Sequence, residues 1–372
     1  MNSDNIDLAV GKGVKPKRKK KGELPIVGIS LGDFNGIGPE VTIKALADKR
    51  MLNMMTPVIF GSSKVVSYYR KALNLENDFN FMTVKSMDEI AYGKVNVINC
   101  WQKVLVEPGK VTNEAGEAAW LALKAATTAL KEDHTDAIVT APINKHNIQN
   151  EEFKFAGHTE YFAKTFEAEE TLMFMVHDQL RVAVATGHIP LSEVSNQLTR
   201  GLVRKKLKVM EASLKLDFGI QKPKIAVLGV NPHAGEDGLL GSEEQDIIKP
   251  VIQELKEKGK LIYGPFPADG FFGVNMQHKF DGVLAMYHDQ GLVAFKAVNF
   301  GAGVNFTAGL PIVRTSPDHG TGYDITGKNT ANEASFRAAV FMAVDILRCR
   351  QQYAEDTADP LKKRSKVRNE RG

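Results

Sequence analysis

The sequence predicts an α/β fold in which short apolar strands alternate with amphipathic helices about a parallel or mixed sheet. Three observations predict it. Strand and helix signals alternate from about residue 24 to about residue 350, the pattern of successive βαβ units. Three apolar, strand-like runs, beginning at Arg181, Ile225 and Val283, each end in a histidine: His188, His233 and His288. The composition, 43% hydrophobic and 25% charged, is that of a globular chain. No apolar run approaches the roughly 18 residues that a membrane span requires.

Taken in order, Leu24–Leu31 reads as a buried strand that runs into the glycine-rich turn Gly32–Glu40, with a helix from Val41. Pro57–Phe60, Val95–Ile98 and Asp136–Thr140 read as further strands, and Ala115–Leu130 as an Ala/Leu-rich helix. Beyond residue 170 the histidine-bearing strands alternate with helices at Thr199–Leu214 and Glu243–Lys258, and Glu333–Arg350 closes the chain as an amphipathic helix. His177 also follows an apolar run, Phe174–Val176, but one leucine separates Gln179 from the next strand, so His177 belongs to a hairpin turn and has a structural role.

The net charge of +4 is unevenly spread. Residues 1–22 hold seven Lys/Arg against Asp4 and Asp7, and residues 362–372 hold six against Glu370, +5 in each segment, so the body of the chain carries −6. Both tails have the composition of solvated, disordered appendages. Without interleaved aromatic residues or a nucleic-acid-binding motif they predict no nucleic-acid partner. Cys100 and Cys349 form no disulfide framework and no metal-ligand spacing. With no signal-peptide core at the N-terminus, a reducing cytoplasm is the expected compartment.

The chemistry-bearing residues lie in loops after strands. Three imidazoles brought to one sheet edge can share a divalent ion and leave a position open for substrate, although each alone is as readily a loop or capping residue. Lys145, in Thr140–Lys145, can reach an anion. His158 and Thr159 open a helical stretch, where backbone donors favour anions; simple capping by Thr159 is the plain alternative. Asp269 and Asp289 are carboxylates able to orient a ligand histidine or a reacting hydroxyl. Lys296, Asn305 and Arg314 supply a cation, an amide and a planar guanidinium, a set that grips phosphate or carboxylate. The Gly-x-Gly-x-x-Gly fingerprint and the Walker A loop are both absent, which excludes the usual Rossmann and P-loop nucleotide sites.

Taken together, these motifs resemble the 4-hydroxythreonine-4-phosphate dehydrogenases of vitamin B6 biosynthesis. The segments that carry the resemblance run in order from Gly32–Glu40 through Thr140–Lys145, Gly157–Glu160, Thr186–Leu191, Asn231–Glu236 and Tyr287–Leu292 to Gly309–Thr321. The resemblance implies a metal site at His188, His233 and His288, and substrate contacts at His158, Thr159, Lys296, Asn305 and Arg314. A more distant likeness to isopropylmalate and isocitrate dehydrogenases implies two α/β/α domains with mixed sheets and the active site in the cleft between them. It divides the chain into a discontinuous first domain, 23–148 with 300–355, and a second, 149–299, flanked by tails 1–22 and 356–372. In that fold His319–Lys328 matches the loop that holds the cofactor's adenosine, which makes His319, Gly320, Thr321 and Asp324 the cofactor candidates.

The activity implied is NAD- or NADP-dependent oxidation of 4-phosphooxy-L-threonine to 2-amino-3-oxo-4-phosphooxybutanoate, a β-keto acid that decarboxylates to 3-amino-2-oxopropyl phosphate. A divalent ion (zinc, magnesium or cobalt) and a homodimer with a shared active site are implied with it. Lys296, Asp269 and Asp289 are the catalytic candidates, and the general base stays open between the two carboxylates and a metal-bound water. Phe34-Asn35, Gly187, Ala308 and Gly322-Tyr323 depart from the family's commoner Pro-Ala, Thr, Leu and Ala-Phe. These departures keep open a dehydrogenase for D-threonate or D-erythronate 4-phosphate. A metallohydrolase would leave His319–Lys328 without a role, and a non-enzymatic phosphometabolite-binding protein would need only the anion-gripping residues.

Overall fold

The structure is a computed structural model that describes residues 24–103, 105–299 and 301–358. The basic tails fall outside it, except that the last helix continues past Arg350 to Ala358, into the segment assigned to the C-terminal tail. The strands are β1 (Ile26–Ser30), β2 (Thr56–Gly61), β3 (Met82–Val84), β4 (Asn96–Asn99), β5 (Ala137–Thr140), β6 (Leu172–His177), β7 (Leu180–Val184), β8 (Ile225–Leu228), β9 (Ile262–Phe266), β10 (Gly282–Ala285), β11 (Val304–Ala308) and β12 (Val313–Pro317). The α-helices are α1 (Gly38–Ala47), α2 (Ser63–Ala72), α3 (Asn113–Lys131), α4 (His158–Thr165), the single turn α5 (Val194–Gln197), α6 (Arg200–Leu216), α7 (Lys249–Glu257), α8 (Ala268–Gly273), α9 (His288–Val298) and α10 (Ala334–Ala358). Among the described residues no helix is long and apolar enough to cross a membrane.

All the strands join one mixed sheet in the order β3-β4-β2-β1-β5-β12-β11-β6-β7-β10-β8-β9. The strands from β3 to β12 are mutually parallel, and so are β7, β10, β8 and β9. Between these blocks the pairs β12–β11, β11–β6 and β6–β7 are all antiparallel. Three reversals leave the second block running opposite to the first. The expectation of a single edge collecting all strand C-termini is therefore corrected: each block has its own. His177 pairs with Leu180 across the β6–β7 hairpin, the structural role read from its spacing.

Alternation along the central strands divides their two faces. Phe174, Val176, Val304, Phe306 and Val313 enter the main core, where Phe174, Phe306 and Phe218 pack ring against ring at 5.8–6.3 Å. Met173, Met175, Asn305, Arg314 and Ser316 point the other way, into a cavity. Helix α10 lies on the core side and accepts a hydrogen bond from Thr315 Oγ1 at the Ala339 carbonyl, 2.8 Å.

The same helix is tied to the second block. Arg350 Nε donates to Asp217 Oδ1 at 2.7 Å, and its other nitrogens donate to the Pro311 and Leu310 carbonyls, both at 3.3 Å. Asp217 is buried, and its second oxygen accepts from Ser213 at 2.6 Å. Removing one partner of a buried pair strands the other charge. Arg350→Met is therefore expected to lower unfolding stability by about 3 kcal/mol. Loss of the exposed Arg348–Asp345 contact in Arg348→Met should change it by under about 0.5 kcal/mol. Urea midpoints of the two variants check the contrast.

Candidate active site

The cavity, about 240 Å³, opens over the central strands where the two parallel blocks meet. Its floor is β6, β11 and β12. The loop after β5 brings Thr140 and Lys145, and the start of α4 brings His158, Thr159 and Glu160. His188 after β7 and His288 at the start of α9 close the side facing the second block, with Lys296 one helical face further along α9. His319 and Gly320, just past β12, complete the rim.

Arg314 governs the electrostatics. It is 3% exposed, yet among the described residues its guanidinium donates only to hydroxyls: Nε and Nη2 to Thr140 Oγ1 at 3.2 and 2.8 Å, and Nη1 to Thr307 Oγ1 at 3.2 Å. The Phe162 ring lies 5.9 Å from it. Burial pushes its pKa down to about 10, with Glu160 opposing, so the group stays cationic at neutral pH. A desolvated guanidinium with neutral partners keeps donors in reserve for an anion. Burial first, then the charges of Arg314 and Lys145, hold the His158 pKa well below the usual imidazole value. His158 is therefore neutral while the site is empty of an anion.

Among the described residues, three buried polar atoms at this cavity have no hydrogen-bond partner: His158 Nε2, Asn305 Oδ1 and His319 Nε2. Such atoms cost free energy unless a ligand or water satisfies them. Convergence of the three with Arg314 and two lysines describes a site for a small, polar, anionic molecule.

The histidines divide. The His188 and His288 rings lie 5.6 Å apart, centre to centre. Asp289 Oδ1 is 2.7 Å from His288 Nδ1, and Glu160 Oε1 is 3.7 Å from His188 Nδ1. The imidazole beside it holds the Glu160 carboxyl below the usual carboxylate range. At His288 the hydrogen-bonded Asp289 carboxylate fixes the tautomer that leaves Nε2 free for a cation, while Glu160 is an electrostatic neighbour of His188. His233 does not join them. It stands exposed in the turn after β8, and among the described residues no three His, Cys, Asp or Glu side chains converge as metal ligands within the chain.

Of the catalytic candidates, Lys296 lines the cavity, Asp289 orients His288, and Asp269 is exposed on α8 away from the cavity. His158, Thr159, Lys296, Asn305 and Arg314 all line it together, the five substrate candidates in one place. His319 and Gly320 reach its rim, while Thr321 and Asp324 do not. The loop they begin is docked on the Gly32–Glu40 turn: Ile37 N donates to the Thr321 carbonyl at 2.8 Å, and Tyr323 donates its hydroxyl to Asp33 at 2.7 Å. Sequence reasoning missed Glu160 as a site residue, although it ends the Gly157–Glu160 motif, and missed Met173 and Met175, whose hydrophobicity is no different from a core residue's.

Comparison with known proteins completes the assignment. Residues 53–343 match the model of the family described as pyridoxal phosphate biosynthetic protein PdxA. A 4-hydroxythreonine-4-phosphate dehydrogenase from Bacteroides thetaiotaomicron is 50% identical over 91% of this chain and 93% of that protein. A relative from Oceanobacillus iheyensis, 37% identical over 87% of this chain and 98% of its own length, is named instead for D-threonate 4-phosphate. The crystal structure of 4-hydroxythreonine-4-phosphate dehydrogenase from Klebsiella pneumoniae superimposes with a TM-score of 0.74 at 33% identity, covering 88% of this chain and 99% of that one. With that coverage, the chain belongs to the PdxA family of pyridoxal phosphate biosynthetic proteins.

Proposed function

We propose that this chain is a dehydrogenase that oxidises 4-phosphooxy-L-threonine at its secondary hydroxyl to 2-amino-3-oxo-4-phosphooxybutanoate, which then loses carbon dioxide to give 3-amino-2-oxopropyl phosphate. The observation that carries the reading is Arg314, a buried guanidinium facing the cavity with hydroxyl partners alone. An anionic substrate supplies the missing countercharge. The name of the 50%-identical relative favours the amino-acid substrate.

The chain's own residues bind and orient. Arg314, Lys145 and Lys296 hold the phosphate and carboxylate ends, with His158 and Thr159 at the α4 N-terminus adding donors. Binding both ends aligns the hydroxyl-bearing carbon between the His188/His288 side and the His319–Gly320 rim. His188 and His288, each with a carboxylate behind Nδ1, suit a divalent transition metal. His233 from the second copy of a homodimer would complete the donor set, in keeping with its exposure and its place outside the cavity that His188 and His288 line. The chemistry supplied there is stabilisation of charge on the reacting hydroxyl by the metal, and acceptance of a hydride by a nicotinamide cofactor. The cofactor is assigned to the His319–Asp324 segment, whose Gly320 has open space where a side chain would stand. Asp289 is better placed to orient His288 than to abstract a proton, and Asp269 has no part at the cavity of its own chain. The two domains, 23–148 with 300–355 and 149–299, would meet at the β11–β6 pair.

NADH formation with 4-phosphooxy-L-threonine, 4-phosphothreonate and 4-phosphoerythronate, each with and without added divalent metal, tests the reading. Metal-dependent NADH from the first is expected. NADH from the threonate or erythronate alone would transfer the chain to the sugar-acid branch, and none from any would sink the dehydrogenase assignment.

Arg314→Met is expected to lower kcat/KM by about 100-fold or more, through loss of charge-assisted hydrogen bonds worth roughly 3 kcal/mol. In the ligand-free protein the same change should leave the melting temperature unchanged or raise it, because a desolvated cation is removed. Calorimetry beside kinetics separates the two effects.

The depressed His158 pKa also sets a pH dependence. Below the unfolded imidazole value of about 6.5 the unfolded chain binds a proton that the folded state refuses. Stability should therefore fall as pH drops through that value, down towards the folded pKa. His158→Gln should flatten this acid limb in urea titrations from pH 7.5 to 5, while the wild-type limb stays steep.

A further inference from the structure

We infer that Glu244 is a positioning residue for His233, and that Gln290 joins its loop to the loop carrying His288. The inference rests on the proposed role of His233 as a metal ligand. Residues His233–Asp237 all have left-handed backbone, with φ between 41° and 79°. Only one of the five is glycine, so the turn is strained despite its own backbone hydrogen bonds, such as Ala234 N to the Asn231 carbonyl at 3.1 Å. A carboxylate braces its base. Glu244 is fully buried, and its Oε1 accepts from Val230 N at 2.7 Å and Asn231 N at 2.8 Å. Oε2 accepts from the Asn231 side-chain amide at 3.0 Å, and that amide also donates to Glu243 at 2.8 Å. A Cβ on Gly235 would stand 2.6 Å from Glu244 Oε2, so the carboxylate fills the inside of the turn and glycine is required there.

The cage reaches the other metal-side loop. Gln290 Nε2 donates to the Gly229 carbonyl at 2.6 Å, and its Oε1 accepts from Met286 N at 2.7 Å. Gly229 lies immediately before the segment that Glu244 grips, and Gln290 two residues after His288. The chain from Glu244 through Val230 and Gly229 to Gln290 thus sets the placement of the His233 turn relative to His288. A loose turn would present His233 in many orientations, and a shared metal would bind more weakly.

The test is a cobalt(II) titration of the full-length protein and of His233→Ala, Glu244→Gln and Gln290→Met, read by the visible ligand-field absorption of the ion. Amide hydrogen exchange is followed on the same samples. Glu244→Gln is expected to weaken cobalt binding by about tenfold or more, the usual cost of losing support behind a ligand histidine. Its cobalt spectrum should shift, and exchange at Val230 and Asn231 should accelerate. Gln290→Met should change affinity in the same direction and carries the comparison if Glu244→Gln does not fold. Cobalt affinity within twofold of the parent in the folded Glu-loop or Gln290 variant, beside clear loss in His233→Ala, overturns the inference. If His233→Ala itself binds cobalt normally, the metal reading of His233 falls instead. The brace is then judged on exchange alone, and unaltered rates at Val230 and Asn231 overturn it.

Discussion

The central pair β6–β11 is the constraint on which the molecule depends. Two parallel blocks of opposite direction share a sheet only through an odd number of antiparallel pairings, and here β11 and β6 make three of them. Their alternation then performs two tasks at once. Phe174 and Phe306 on one face anchor the core under α10, and Met175 and Asn305, paired in register on the other, floor the cavity. A slip of one residue would exchange the two sets, burying an amide among phenylalanines. The core thus fixes the register that the site requires.

Because the blocks run in opposite directions, their loops approach the central strands from two sides. Anion-gripping groups come from the first block and its continuation, through Thr140, Lys145, His158 and Arg314. The paired histidines His188 and His288 come from the second, and so does Lys296 on α9. A substrate with anionic ends and a hydroxyl between them spans that division, and only at the junction are both kinds of group within reach.

The sequence made the alternating elements and the strand-terminal histidines legible because both are local patterns. Strands β1, β2, β4 and β5 and helices α3, α6 and α10 stand close to where periodicity puts them. Strands β11 and β12 escaped notice because Asn305, Arg314 and Ser316 break the apolar run on the site face, and a polar residue on a buried face mimics a loop. The reversal of direction was illegible for a different reason: it resides in pairing, which no single segment records. The five anion-site candidates, His158, Thr159, Lys296, Asn305 and Arg314, line one cavity. The histidine trio does so only in part. His188 and His288 follow adjacent strands, whereas His233 enters a left-handed turn that its Pro-His-Ala-Gly-Glu sequence does not announce.

Two of the family departures find a common place. Asn35 stands where Ala is usual, and Tyr323 where Phe is, and the structure connects both to the buried carboxylate of Asp33. Asp33 accepts from the Asn35 backbone at 2.9 Å, from the Asn147 amide at 2.8 Å and from the Tyr323 hydroxyl at 2.7 Å. The Asn35 side chain reaches onward, accepting from Glu107 N at 2.8 Å and donating to Thr112 Oγ1 at 3.3 Å. Alanine and phenylalanine could make neither side-chain bond. Three segments, the Gly32–Glu40 turn, the approach to α3 and the His319–Lys328 loop, are therefore tied together more closely than the usual residues allow. None of these side chains enters the anion cavity. These two departures tie together the frame beneath the proposed cofactor loop and touch none of the residues proposed to hold the substrate.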